Sequence, residues 1–217
     1  EFHPGFRNSV AAYTVSLLHP KIIADLRLGE HGLRIVERRA QNFLPLPDGQ
    51  YLLAADGKTT EQIAKFSRRD AGRYAAFSAE LDAAAAVLRD VVLRAPPNLV
   101  AGLNRRSLGE LINAAALANS LRKLPRDTQR ALYDLATKSA GDYLDGWFES
   151  APIKALHGFD AVVGNLASPY AAGSAYVLLH HAFGEVNGKL RTWGHAIGGM
   201  GSITQAMAKA AAGAGVE

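Results

Sequence analysis

Residues Ser174–Met207, SAYVLLHHAFGEVNGKLRTWGHAIGGMGSITQAM, decide how the rest of the chain is read. They open as a buried helix that carries His180 and His181, turn on Asn187-Gly188, and run on extended through Trp193 to Ile197. A corner at Gly198-Gly199-Met200-Gly201 follows, then a second helix. Adjacent glycines at a strand-to-helix corner allow positive φ and let the backbone come close to something flat or anionic. The same glycines also suit a plain tight turn beside packed helices.

Working outward from this stretch, 165–173 is a Pro/Gly-bearing loop, and the chain before it is helical back to Thr59. Ser67-x-x-Asp70 predicts a cap for a long helix ending at Arg94, with Tyr74, Phe77, Leu81, Ala84 or Ala85, Leu88 and Val92 as its apolar stripe. Thr59-x-x-Gln62 and Ser107-x-x-Glu110 predict two more capping boxes. The helix after Ser107 is expected to turn Leu108, Leu111, Ile112, Ala115, Ala118 and Leu121 inward. Further helices are expected after Asp127, Ser139 and Ser150, with Pro152 tolerated in the first turn of the last. Near the start, a short helix spans about 17–28 with Pro20 at its N1 position. A strand over 33–38 then precedes a hairpin of 43–46 and 50–54 about Pro47-Asp48-Gly49, suggesting a three-stranded antiparallel sheet. The fold class is α+β, predominantly helical, with a small antiparallel sheet and a helical cap. Its expected divisions are 1–58, 59–183 and 184–217.

At 217 residues and 48% hydrophobic content the chain is able to bury a core. The net charge of +4 is dispersed, with Arg68-Arg69 and Arg105-Arg106 among its densest groups, so no nucleic-acid partner is expected. Cysteine is absent, which excludes disulfides, thiolate metal sites and a redox dithiol. Without a signal peptide or a spanning apolar run, a cytoplasmic location is expected.

His180 and His181 are consecutive, so on a helix their side chains diverge by about 100° and do not readily share an ion. No metal site is expected. The reading of the pair is one packed imidazole and one facing a cavity, and Trp193 is either an active-site wall or core. There is no G-x-S-x-G elbow and no support for a hydrolase triad.

The central stretch, taken with HPGFRNSVAAYTVSLLHPKIIADLRLGEHGL (3–33), NFLPLPDGQYLL (42–53), GDYLDGWFES (141–150) and VVGNLASP (162–169), resembles the phytoene-dehydrogenase-like FAD oxidoreductases in family order. The resemblance implies FAD as cofactor and hydride removal from an apolar or amphipathic substrate to the flavin. It implies flavin contacts at Ser9, Ala11, Gly198, Gly199, Met200 and Gly201, and substrate contacts at Tyr13, Tyr176, His180, His181 and Trp193. Catalytic residues remain unassigned. Carotenoid desaturases often carry an Asp and a Gly where this chain has Ser9 and Ala11, which separates it from that specificity.

Such enzymes place the cofactor pyrophosphate on a G-x-G-x-x-G turn, and the chain has none. The expectation is therefore the substrate-binding portion of a two-domain protein, partnered by a flavin domain outside the chain and prone to self-association through exposed apolar surface. Glu1-Phe2 reads either as a cloning remnant or as an acidic-apolar pair that suits the resembling family before HPGF, and Val216-Glu217 as the start of a strand. Two readings from other classes remain open: a non-enzymatic helical interaction module, and a basic nucleic-acid-binding domain.

Overall fold

The computed structural model describes residues 3–6, 9, 11–98 and 105–216, the side chains of 105–107 excepted. Glu1-Phe2 and Glu217 lie outside the described residues, as do the Arg105, Arg106 and Ser107 side chains. The architecture is α+β and mostly helical. In chain order the elements are α1 (Pro20–Asp25), β1 (Ile35–Glu37), β2 (Asn42–Pro45), β3 (Tyr51–Ala54), α2 (Thr59–Ala64), α3 (Arg68–Val91), α4 (Arg105–Arg122), α5 (Arg126–Thr137), α6 (Ala140–Trp147) and α7 (Ala151–Val162). They continue with α8 (Ala175–Ala182), β4 (Glu185–Val186), β5 (Lys189–Leu190), β6 (Gly194–Ala196) and α9 (Gly201–Gly213).

The hairpin chemistry acts as the sequence reads. Asn187 and Gly188 both adopt positive φ (52° and 81°), as a two-residue turn requires, and join β4 to β5. The expected three-stranded sheet does not form. β2 pairs with β3, whereas β1 pairs antiparallel with β6 from the far end of the chain, Val36 opposite His195. Gly194 explains why that closure is possible. It exchanges two 2.8 Å backbone hydrogen bonds with Val15 while facing Glu37, and a Cβ there would sit 2.7 Å from Ile35 Cγ2. Only glycine lets two chain segments flank this point.

The main core is built on α3, which Ser67 caps by accepting from the Asp70 N–H at 3.1 Å. Phe77 is fully buried, and its ring meets those of Tyr143, Trp147, Phe148 and His157 at 4.8–6.2 Å. Leu81, Ala84 and Ala85 continue the buried stripe, and Val92 at its end is 48% exposed. A second, smaller core gathers Val15, Leu28, Leu33, Ala196, Ile203 and Ala206, where α9 returns to the first loop.

Four further expectations are corrected. Thr59 is inside α2 rather than capping it, and its Oγ1 donates back to Ala55 O. α4 is already helical at Arg105, so Ser107 is not its cap, and Leu108, Leu111 and Ile112 are exposed rather than inward. α5 begins after Pro125, which places Asp127 within the first turn. The α4 error is physical: an apolar stripe fixes which face is apolar, not whether another element covers it.

A buried carboxylate ties the core together. Asp70 is fully buried and accepts from the backbone N–H groups of Glu149 (3.0 Å) and Ser150 (2.8 Å), which lead into α7. It supplies the N-terminal cap expected from Ser150, whose side chain makes no capping bond. Burial pushes the Asp70 carboxyl up, but the hydrogen bonds from Ser150 and Glu149 outweigh it and hold it below the usual carboxylate range. Asp70→Ala is predicted to cost about 3 kcal/mol in denaturant unfolding, and Asp70→Asn less. A cost below about 1 kcal/mol for the alanine variant would contradict the capping role. Because the folded carboxyl is depressed, its contribution is present above the unfolded carboxyl pKa and fades as pH falls through the folded value.

Candidate functional site

A cavity of about 450 Å³ opens between the β2–β3 hairpin, α3, α7, α8 and the 189–193 segment. Its walls are apolar at Leu81, Leu156 and Leu178, and polar at Asn42, His157, Asp160, His181 and Arg191. A smaller cavity of about 150 Å³ lies under the 11–14 loop and shares Asn42, Asp160 and Trp193 with it.

The structure divides the sequence-predicted residues into three groups. His181 and Trp193 stack at 5.7 Å and 16° on one wall of the larger cavity. Ala11 and Tyr13 line the smaller one, and Trp193 lines both. His180 and Tyr176 lie outside both cavities, on the same helix α8. His180 meets Tyr176 at 6.4 Å and Phe183 edge-on at 5.1 Å. Partial burial, with the neighbouring His181 second, lowers the His180 pKa.

The third group is the glycine corner. Gly198 and Gly199 are left-handed (φ 88° and 83°), and Ser9 accepts from the Met200 N–H at 2.9 Å. A Cβ on Gly199 would reach Ser9 Oγ at 3.4 Å. Ser9, Gly199 and Met200 therefore meet, with Gly198 and Gly201 flanking them at the start of α9. This group packs on the smaller core, and none of its residues lines the 450 Å³ cavity. Among the described residues no cluster of three metal-ligating side chains occurs.

Hydrogen bonding fixes the tautomers around the site. His181 Nδ1 lies 2.8 Å from Val177 O, a carbonyl that only accepts, so Nδ1 carries the hydrogen and Nε2 of the neutral ring is left as an acceptor. Arg38 Nε donates to His195 Nε2 at 3.2 Å, and His195 Nδ1 donates to Tyr13 O at 3.0 Å. The Arg38 guanidinium also covers the Tyr13 ring at 5.6 Å. This relay pins the 11–14 loop over β1 and β6.

Three site residues escaped the sequence reading. His157 and Asp160 stand three apart on α7, on the face that also carries the buried Ile153 and Leu156. Polar residues at buried helical spacing were the available signal. Burial holds His157 neutral, with Arg191 adding to the effect, and its pKa falls to about 3. Burial raises Asp160 to about 6 even though His181 and Arg191 pull it down. Arg191 carries no local signal, because only the fold brings it beside these groups.

Comparison with known proteins places this site in a wider setting. The names of the chain's homologues point to a protein of the pyridine nucleotide-disulfide oxidoreductase type. Pyridine nucleotide-disulfide oxidoreductase domain-containing protein 2 of Rattus norvegicus is 38% identical over 226 aligned positions, covering 97% of this chain. The Mus musculus protein of the same name is 37% identical over 227 positions, covering 98% of the chain. The chain spans about 38% of the length of each. No family model matches the chain, and no solved structure matches it. Among the described residues no helix is long and apolar enough to cross a membrane.

The site makes a pH-dependent prediction. Asp160 is raised on folding, so its contribution to stability is present below the unfolded carboxyl pKa and is lost as pH rises through about 6. Asp160→Asn should therefore raise the melting temperature at pH 8 and leave it nearly unchanged at pH 4. An unchanged or lowered melting temperature at pH 8 would show that the carboxylate is not desolvated. The opposite limb belongs to His157, which destabilises the fold as pH falls from the unfolded imidazole pKa toward about 3, and it should persist in this variant.

Proposed function

We propose that the chain is the substrate-binding portion of an FAD-dependent oxidoreductase of the phytoene-dehydrogenase-like type. It acts on an apolar or amphipathic substrate by hydride transfer to flavin. The observation that carries this reading is the pair of neighbouring cavities, one under the 11–14 loop and one at the His181–Asp160 pocket, which share Asn42, Asp160 and Trp193 as lining. A concave space lined mostly by polar side chains, with an apolar patch at Leu81, Leu156 and Leu178, suits a small molecule that is part polar and part apolar. The homologues' names supply the oxidoreductase class, and the length they have beyond this chain leaves room for a flavin domain.

The residues present fit one edge of the cofactor and not its pyrophosphate. Ser9 and the left-handed Gly198-Gly199 corner offer close backbone approach beside α9, with Met200 and Gly201 next in line and Ala11 on the facing loop. The chain has no G-x-G-x-x-G turn to hold the phosphates. When bound, FAD supplies the hydride acceptor. This chain's residues do the rest. Tyr13, Trp193 and His181 shape the space, and Leu81, Leu156 and Leu178 give the substrate its apolar contact. His181 Nε2 offers an acceptor that orients a polar group of the substrate. Tyr176 and His180 belong to the outer face of α8 and act on substrate only if the partner domain extends the cavity to them.

A chain extended to the length of its relatives is predicted to retain FAD, read as visible flavin absorbance after gel filtration, while residues 1–217 alone do not. An extended chain that remains colourless after FAD is supplied would refute the reading.

A further inference from the structure

The larger cavity contains groups whose hydrogen-bonding and charge requirements the chain itself leaves unmet. His157 is 6% exposed and packed among the rings of Tyr74, Phe77 and Phe148, yet its Nε2 has no hydrogen-bond partner among the described residues. A buried polar atom in that state is costly unless something meets it. Arg191 lines the same space from the loop between β5 and β6, in a left-handed conformation (φ 54°) that is uncommon for a side chain of its size. Its ion pair with Asp82 is long, 3.5 Å, and Asp82 is half exposed, so water competes for it.

The other cation at the rim is already engaged: Lys189 pairs with Glu37 at 2.5 Å. Asp160 forms no ion pair with Arg191 and lines both cavities, on the α7 face that also carries Leu156. Arg191 lines the cavity together with His157 and Asp160, and its charge lowers the pKa of both. A guanidinium from the strand wall and an unmatched imidazole nitrogen from α7, with the aliphatic side chains of Leu81, Leu156 and Leu178 in the same cavity, match an anionic head on an apolar body.

We propose that this cavity binds a carboxylate-bearing amphipathic small molecule. The carboxylate is held between the Arg191 guanidinium and His157 as its Nε2–H tautomer, and the apolar tail lies along Leu81, Leu156 and Leu178. The proposal narrows the substrate class of the function given above and rests on that reading only in treating the cavity as the substrate's. The Trp193–His181 stack then forms the side wall of the cavity next to the 11–14 loop.

The test is calorimetric titration of the chain with octanoate and, separately, 1-octanol, which share a tail and differ in charge. Octanoate is expected to bind saturably and more tightly than octanol. Arg191→Gln is expected to weaken octanoate about ten-fold or more and leave octanol unchanged. Asp82→Asn, a surface change that frees the guanidinium, is expected to tighten octanoate, which keeps the test decisive if the Arg191 variant folds poorly. Imidazole nitrogen shifts of His157 should move on adding octanoate and not octanol. Equal binding of the two probes, or octanoate binding indifferent to both substitutions, would overturn the proposal. Neither titration needs flavin: an extended chain that holds FAD but ignores octanoate removes only the carboxylate assignment, whereas octanoate binding without flavin leaves that assignment standing.

Discussion

The fold depends on one buried charge. Asp70, in the first turn of α3, reaches across to the two backbone N–H groups that open α7, while Glu149 beside them accepts from Ser67 at 2.8 Å and from Arg69 at 2.6 Å. α3 and α7 are thus locked end to end by charge-assisted hydrogen bonds before any apolar packing is considered. The direction of α7 follows from that lock. It carries His157 against Phe77 and brings Asp160 to the cavity, so that a capping interaction at one end of a helix sets the polar lining two and three turns later.

The opposite wall is held differently. β6 returns along β1 and the Val15 segment through Gly194, and the Asn187-Gly188 turn folds β4 and β5 beside it. Arg191, Thr192 and Trp193 form the short span between these two constraints and face the cavity. The site is therefore a seam between a helical wall fixed by a buried carboxylate and a strand wall fixed by a glycine. It is polar on the helix side and aromatic where Trp193 meets His181.

What was legible in the sequence followed the range of the interactions. Ser67 and Ser139 cap the helices expected of them because N-caps are decided within three residues. The Asn187-Gly188 hairpin and the Gly198-Gly199 corner were equally local, since positive φ selects the residue. The pairing of β1 with β6 was not legible, because register between segments about 160 residues apart depends on a close approach at Gly194 that no local pattern encodes. α4 failed for the complementary reason: its apolar residues are real, but Leu108 and Ile112 face outward. In the site, His181 and Trp193 could be singled out from one stretch, whereas Arg191 gains meaning only beside His157, and the burial that shifts His157 and Asp160 is a property of the folded chain.

The account's central claim is that the two neighbouring cavities receive substrate beside a flavin supplied from outside this segment. The most direct measurement is a structure of the extended, flavin-bearing chain. The account predicts the isoalloxazine ring against the 9–13 loop and the Gly198-Gly199 corner, with the cavity opening past Trp193 toward it. A flavin ring lodged elsewhere, with the Trp193 passage closed to it, would contradict the account.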